Sequence, residues 1–149
     1  MVSWRWYTFA DFDTDTLFQY LRLRQQVFVV EQKCAYPDID ELDRVSTHLL
    51  GWVDEKIVAC LRLVPPGLKF PEPSIGRVIA QPEMRGTGLG HQLIQTGLQG
   101  AAEQYPNMAN RIGAQSHLQR FYARHGFVTV SDEYDEDGIL HVDMLWREV

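Results

Sequence analysis

A mixed α/β domain is what these 149 residues predict, on three grounds. Short runs rich in β-branched and aromatic residues, such as residues 4–9, 47–53, 56–63 and 75–80, have strand character. Two stretches instead follow a helical period: Leu17, Tyr20, Leu21, Arg24, Val27 and Phe28, then the apolar Leu93, Ile94, Leu98, Ala101, Ala102 and Tyr105. Polar turns, Asp54-Glu55 and Asp135-Glu136-Asp137-Gly138, join strand-like runs as hairpins. The resulting order is strand, helix, β-meander, helix, strand, helix, hairpin. No repeat, low-complexity tract or linker interrupts it, so one domain over residues 1–149 is expected.

Each element has a local cause. Residues 4–9 (WRWYTF) form an aromatic first strand, and Asp11, Asp13 and Asp15 suit the positive N-terminal end of the helix that follows, about four turns long. Residues 29–47 break both periodicities and read either as a loop or as a short helix around residues 39–43. Pro65-Pro66-Gly67 ends the second strand of the first hairpin, and Pro82 ends the run at 75–80 because proline removes a ladder donor. The long helix stops at Pro106-Asn107. A short strand at 111–115 follows, then a helix at 116–125 with Gly126 behind it, and finally strands at 127–134 and 141–146.

Composition narrows the class. Apolar content of 45% and charged content of 23% are those of an ordinary globular chain of one-domain size. No apolar run reaches the length of a membrane span and the first residues lack a secretory apolar core, so no membrane role is expected. Cys34 and Cys60 make neither a disulfide framework nor a metal-ligand spacing; as reduced thiols they favour the cytoplasm, and no metal is expected. The net charge of −6 and the lack of a basic cluster argue against nucleic acid and fit a cationic partner better.

The informative stretch is 74–100, SIGRVIAQPEMRGTGLGHQLIQTGLQG. Arg85-Gly86-Thr87-Gly88-Leu89-Gly90 lies between a strand and a helix. A glycine loop opening a helix leaves first-turn N–H groups unpaired and lets an anion approach the backbone; a tight strand-to-helix turn uses glycine for its own sake. Arg85 adds a fork suited to phosphate. The dinucleotide fingerprint fails, since its third glycine falls on His91 or Leu93, and the P-loop fails because His91-Gln92 follow Gly90.

The spacing Arg-x-x-Gly-x-Gly resembles the acyl-CoA diphosphate loop of the GNAT superfamily of N-acetyltransferases. Tyr122-Ala123-Arg124-His125-Gly126-Phe127 resembles the family's Tyr-x-x-x-Gly-Phe, in the expected order behind the loop. The segments Val30-Glu31-Gln32-x-Cys34-x-Tyr36-x-Asp38-x-Asp40, Ile75-Gly76-Arg77-Val78-Ile79, Gly113-Ala114-Gln115 and Tyr134-x-Glu136-Asp137-Gly138-Ile139 are similar to the ElaA-like branch. The resemblance spans nearly the whole chain. It implies the GNAT acyl-CoA N-acyltransferase fold, a mixed, mostly antiparallel central sheet of six to seven strands flanked by about four helices. It also implies acetyl-CoA as co-substrate and an amine as acceptor, and the family often dimerises.

Mapped onto this chain, the resemblance implies that Val78, Ile79 and Ala80 bind the pantetheine arm through their backbone. The amides from Arg85 through Gly86, Thr87, Gly88, Leu89 and Gly90 would hold the diphosphate. Gln115 stands where the family usually has asparagine. A nearby strand N–H would polarise the thioester carbonyl, and Tyr122 is the candidate general acid, since a phenol of pKa about 10 stays protonated yet can donate to a departing thiolate. Many relatives carry a glutamate on the fourth strand; residues 75–80 contain no acid, and Arg77 stands there instead. Water held by His117, by His48 or by an acid of residues 31–40 is left as the route for the amine's proton. Asp38 and Asp40, with Glu41 and Asp43, are expected at the substrate entrance, where they would attract a cationic amine. The competing reading is a coenzyme-A-binding sensor or interaction module that keeps the fold without turnover, and the absent acid is its best support.

Overall fold

The computed structural model describes residues 1–81 and 86–148. In chain order the elements are β1 (Ser3–Thr8), α1 (Thr14–Arg24), a π-helical turn (Gln25–Glu31), α2 (Leu42–Val45), β2 (Thr47–Val53), β3 (Lys56–Val64), β4 (Ser74–Ala80), α3 (Leu89–Gln104), β5 (Asn110–Gln115), α4 (Gln119–Ala123), β6 (Val128–Thr129), β7 (Tyr134–Glu136) and β8 (Ile139–Trp146). Asp13 caps α1 by accepting the Thr16 N–H at 2.7 Å. The helix expected to run four turns widens into the π-helical turn after Arg24.

The strands form two four-stranded sheets rather than one of six to seven. The first has the order β1-β2-β3-β4; the second has β5-β8-β6, with β7 also on β8. Every strand ladder among the described residues is antiparallel. The strand expected over 127–134 is two pieces, because Asp143 donates its N–H to the Ser131 hydroxyl at 2.8 Å. A side chain thus replaces a ladder partner, and Thr129↔Met144 and Tyr134↔His141 enclose more residues on one strand than on β8. The helix expected over 116–125 is a 3₁₀ turn (Ser116–Leu118) followed by the short α4.

Strand β3 is apolar on both faces because both are covered. Ala59, Leu61 and Leu63 pack with Leu49, Ile75 and the α3 residues Leu93, Ile94 and Leu98. Ile57 and Cys60 pack on the other face with Leu50, Ile79, Tyr20, Val27 and Phe28. Helix α3 comes close to the first sheet through glycine. A Cβ on Gly97 would stand 2.6 Å from Leu61 Cδ2, and one on Gly100 would collide with the Trp6 ring. Glycine inside a helix costs about 1 kcal/mol relative to alanine, so this close approach must return more than that.

Gly100→Ala is therefore expected to destabilise the fold by about 1–3 kcal/mol through overpacking against Trp6, although helix propensity alone would stabilise it. Denaturant unfolding reads the sign, and a more stable variant would refute this packing.

Candidate active site: a parted sheet and a buried ion network

The two sheets meet at β4 and β5, which run in the same direction from a joined start. Arg111 donates its N–H to the Pro73 carbonyl at 3.1 Å, and Ile75 donates its N–H to Asn110 Oδ1 at 3.2 Å. Beyond this point no ladder among the described residues joins β4 to β5. Backbone groups on the facing edges are left for a guest that can pair as a strand does.

The open ends of both strands lie beside the start of α3. Leu89, Ala114 and Tyr122 share one buried cluster, with Val78 and Ala80 packed against it. Gly88 is the N-cap at φ 83 and offers no side-chain cap, and Gly86 has φ 85. A Cβ built on either would meet nothing within 4 Å, so the loop borders open space. Left-handed backbone, a side-chain-free cap and open space together suit an anionic guest at the positive end of α3. The residues present therefore fit a coenzyme A diphosphate. Of the expected cradle, Gly86 to Gly90 lie here, and Arg85 lies outside the described residues.

Tyr122 is 7% exposed, with Phe121 and Phe127 edge-on to its ring. Its hydroxyl has no hydrogen bond among the described residues. The side chain as a whole is nearly buried. Burial raises the phenol pKa above its usual value, so it stays protonated in neutral solution. Gln115, at the end of β5, donates to Gln32 Oε1 at 3.4 Å and so reaches the segment after the π-helical turn. Across from it, the Cys34 thiol points to the Asp137 carbonyl at 3.3 Å. His117 is exposed in the turn after β5.

The acids of residues 38–43 are placed differently from the expectation. Asp38 is 5% exposed and Asp43 is 3% exposed. Asp38 takes Arg24 Nε on one oxygen at 3.1 Å, and Arg77 Nε at 2.8 Å and the Tyr36 hydroxyl at 3.1 Å on the other. Asp43 takes Arg24 Nη1 at 2.7 Å and Arg62 Nη1 at 3.1 Å, and Asp40 takes Arg62 Nη1 at 2.7 Å. Rather than forming an exposed acidic rim, these carboxylates neutralise three arginines, two of them fully buried. Unpaired charge cannot be buried cheaply, and that is why the acids turn inward. Burial works against the ionised Asp43, but the Arg24 hydrogen bond and the nearby charges hold its pKa at about 2.

Sequence reasoning missed this network, although two signals were present. Arg24 occupies a core-facing slot of α1, and Arg62 interrupts an apolar strand; both positions require buried carboxylates. His48, considered above as a water holder, is 1% exposed. Its Nε2 donates to the Asp43 carbonyl at 2.9 Å, which leaves Nδ1 to accept the Tyr20 hydroxyl at 2.7 Å. Burial lowers its pKa to about 4, so it is neutral and sealed from the parted strands. Among the described residues no three His, Cys, Asp or Glu side chains converge as a metal site, and no helix is long and apolar enough to cross a membrane.

A sheet parted between two parallel strands, with a glycine-capped helix opening on the parting, defines an acyl-CoA N-acyltransferase architecture. A profile of the acetyltransferase (GNAT) domain matches residues 19–148. The chain is 44% identical to a UPF0039 protein of Synechocystis sp. over 98% of its own length and 96% of that protein's. It is 38% identical to protein ElaA of Escherichia coli, covering 100% of this chain and 98% of ElaA. The crystal structure of ElaA superposes with a TM-score of 0.92, over 99% of this chain and 100% of that one, at 36% identity. That of an acyl-CoA N-acyltransferase from Pseudomonas aeruginosa also gives 0.92, over 98% and 99% of the two chains, at 40% identity. The chain belongs to the GNAT acetyltransferase family. It is an acyltransferase that uses a coenzyme-A-based co-substrate and an acceptor.

The buried neutral His48 gives stability a defined pH dependence. Its folded pKa, about 4, lies below the unfolded value near 6.5, so protonation favours the unfolded chain. Stability is then full above pH ~6.5 and falls toward pH 4, at a steepest slope of about 1.4 kcal/mol per pH unit. Denaturant unfolding of the native chain and of His48→Gln over that window is expected to show a flatter profile for the variant.

Proposed function

We propose that the protein transfers an acetyl group from acetyl-CoA to a primary amine, by direct attack with both partners bound. The observation that carries this reading is the parting of β4 from β5 beyond Ile75, which leads to the uncapped start of α3. Acetyl-CoA supplies the activated thioester. Backbone groups of Val78, Ile79 and Ala80 would align its pantetheine arm, and the amides of Gly86, Thr87, Gly88, Leu89 and Gly90, with Arg85, would hold its diphosphate.

A free amine attacks the thioester carbon; the C–N bond forms, the C–S bond breaks, and Tyr122 gives its phenolic proton to the leaving thiolate. The proton released by the amine restores the phenol. Holding both reactants side by side removes much of the entropic barrier. With no acid on β4, the amine's proton passes through water, for which exposed His117 is the candidate holder. Both Asp38 and Asp40 pair with arginines, but Asp40 is half-buried where Asp38 is sealed, so Asp40 is the acid of that loop better suited to meet an acceptor cation. A sensor without turnover is favoured by one observation: Arg77 takes the place of an acid on β4, and its charge is already paired.

A thiol-release assay with acetyl-CoA and a panel of polyamines, amino acids and basic peptides tests the reading. Release with at least one amine supports it; stabilisation by coenzyme A without release from any amine supports the sensor. Tyr122→Phe is expected to lower kcat about a hundred-fold with little change in coenzyme A affinity. Gly88→Val, forced from φ 83, should do the reverse and weaken affinity while leaving kcat at saturation nearly intact. Calorimetric titration with coenzyme A separates the two effects.

A further inference from the structure

Strand β4 carries a residue that the chemistry above does not use. Arg77 lies inside the strand at φ 52, a left-handed conformation that a non-glycine residue adopts only where its surroundings hold it. The register shows what this conformation does. Gly76 pairs with Arg62 and Ile79 with Cys60, so β4 advances three residues while β3 advances two. Arg77 and Val78 together face Leu61, so the ladder is interrupted here, and the Cys60 thiol of β3 turns to the Arg77 carbonyl at 4.0 Å. The bulge lies next to the parting from β5. Gly76 beside it borders open space, since a Cβ there would meet nothing within 4 Å.

The side chain of Arg77 is tied down on several sides. Its Nε donates to Asp38 Oδ1 at 2.8 Å and its Nη2 to the Asp38 carbonyl at 3.0 Å. The guanidinium also lies 5.3 Å from the centre of the Tyr36 ring and 3.5 Å from Asp40. Asp38 is itself fixed by buried Arg24. The clamp thus runs from the end of α1, through the 36–40 segment, to one backbone position on β4.

We propose that Arg77 is a positioning residue: clamped by Asp38, it keeps β4 bulged so that a main-chain N–H at the bulge meets the thioester carbonyl of the acyl donor. The guanidinium does not touch the reacting atoms; it acts through the backbone. This rests on the transferase reading above, and the test separates the two.

The test uses the full-length chain and acetyl-CoA labelled with ¹³C at the carbonyl. The carbonyl stretch is read by difference infrared spectroscopy, with coenzyme A affinity measured in parallel. In the native protein the bound carbonyl is expected to absorb at lower frequency than the free thioester. Arg77→Ala loses the clamp and still bears the cost of a left-handed backbone, so its shift should vanish. Arg77→Gly loses the same charge but adopts that backbone freely, so its shift should largely return. Arg77→Asn should fall between them, and the Asn–Gly comparison decides should the alanine variant not fold. Coenzyme A, which has no thioester carbonyl to polarise, should bind all folded variants alike. Equal loss in the glycine and alanine variants would mean that charge matters and not backbone, and overturns the proposal. So does a full shift in the alanine variant, no shift in the native protein, or failure of all three variants to fold. If the native chain binds neither thiol nor thioester, the transferase reading itself falls, and this proposal with it.

Discussion

The exchange of charge between Arg24, Arg62 and Arg77 and the carboxylates of Asp38, Asp40 and Asp43 is the constraint on which the rest of the molecule depends. Neither set can be buried without the other, because an unpaired charge in the interior costs several kcal/mol. Pairing them ties the end of α1, the irregular 32–41 segment and strands β3 and β4 into one body. The segment has little apolar surface of its own, and these ion pairs define its path. Such a network sets geometry more than it adds stability, since an apolar replacement of equal volume is often no worse.

That geometry is concentrated on β4. One face of the strand packs through Ile79 onto the α1 side, and Val78 and Ala80 lie against the α3 side. One edge is laddered to β3, while the other leaves β5 after a single joined turn of hydrogen bonds. A strand held on three sides and open on the fourth can receive an extended guest without rearrangement, so little ordering cost falls on binding. Glycines do the complementary work on α3. Gly97 and Gly100 let the helix sit close to the sheet, and Gly86 and Gly88 expose its first turn.

The elements legible in the sequence were those with a local cause. Residues 47–53 and 56–63 announced a hairpin through composition and the Asp54-Glu55 turn, and both strands are found with those bounds to within a residue. The start of α3 behind its glycines was equally plain. The last hairpin was misjudged because Ser131 replaces a ladder partner with its own hydroxyl, a substitution invisible to an alternation pattern. The acidic segment was misjudged for a related reason. Asp38 and Asp43 look like solvent-facing acids until the arginines that bury them, distant in sequence, are brought within hydrogen-bond reach.

Read alone, the chain specifies its element order, its family and the position of the glycine loop, because periodicity, turn chemistry and short motifs are properties of neighbouring residues. Folding in three dimensions decides the rest: that β4 and β5 part, that Tyr122 is buried among aromatic rings, that His48 is sealed and neutral, and that Arg77 is held at φ 52. Each of these depends on charges and surfaces from separate elements meeting at one place. No local pattern encodes which carboxylate an arginine will find.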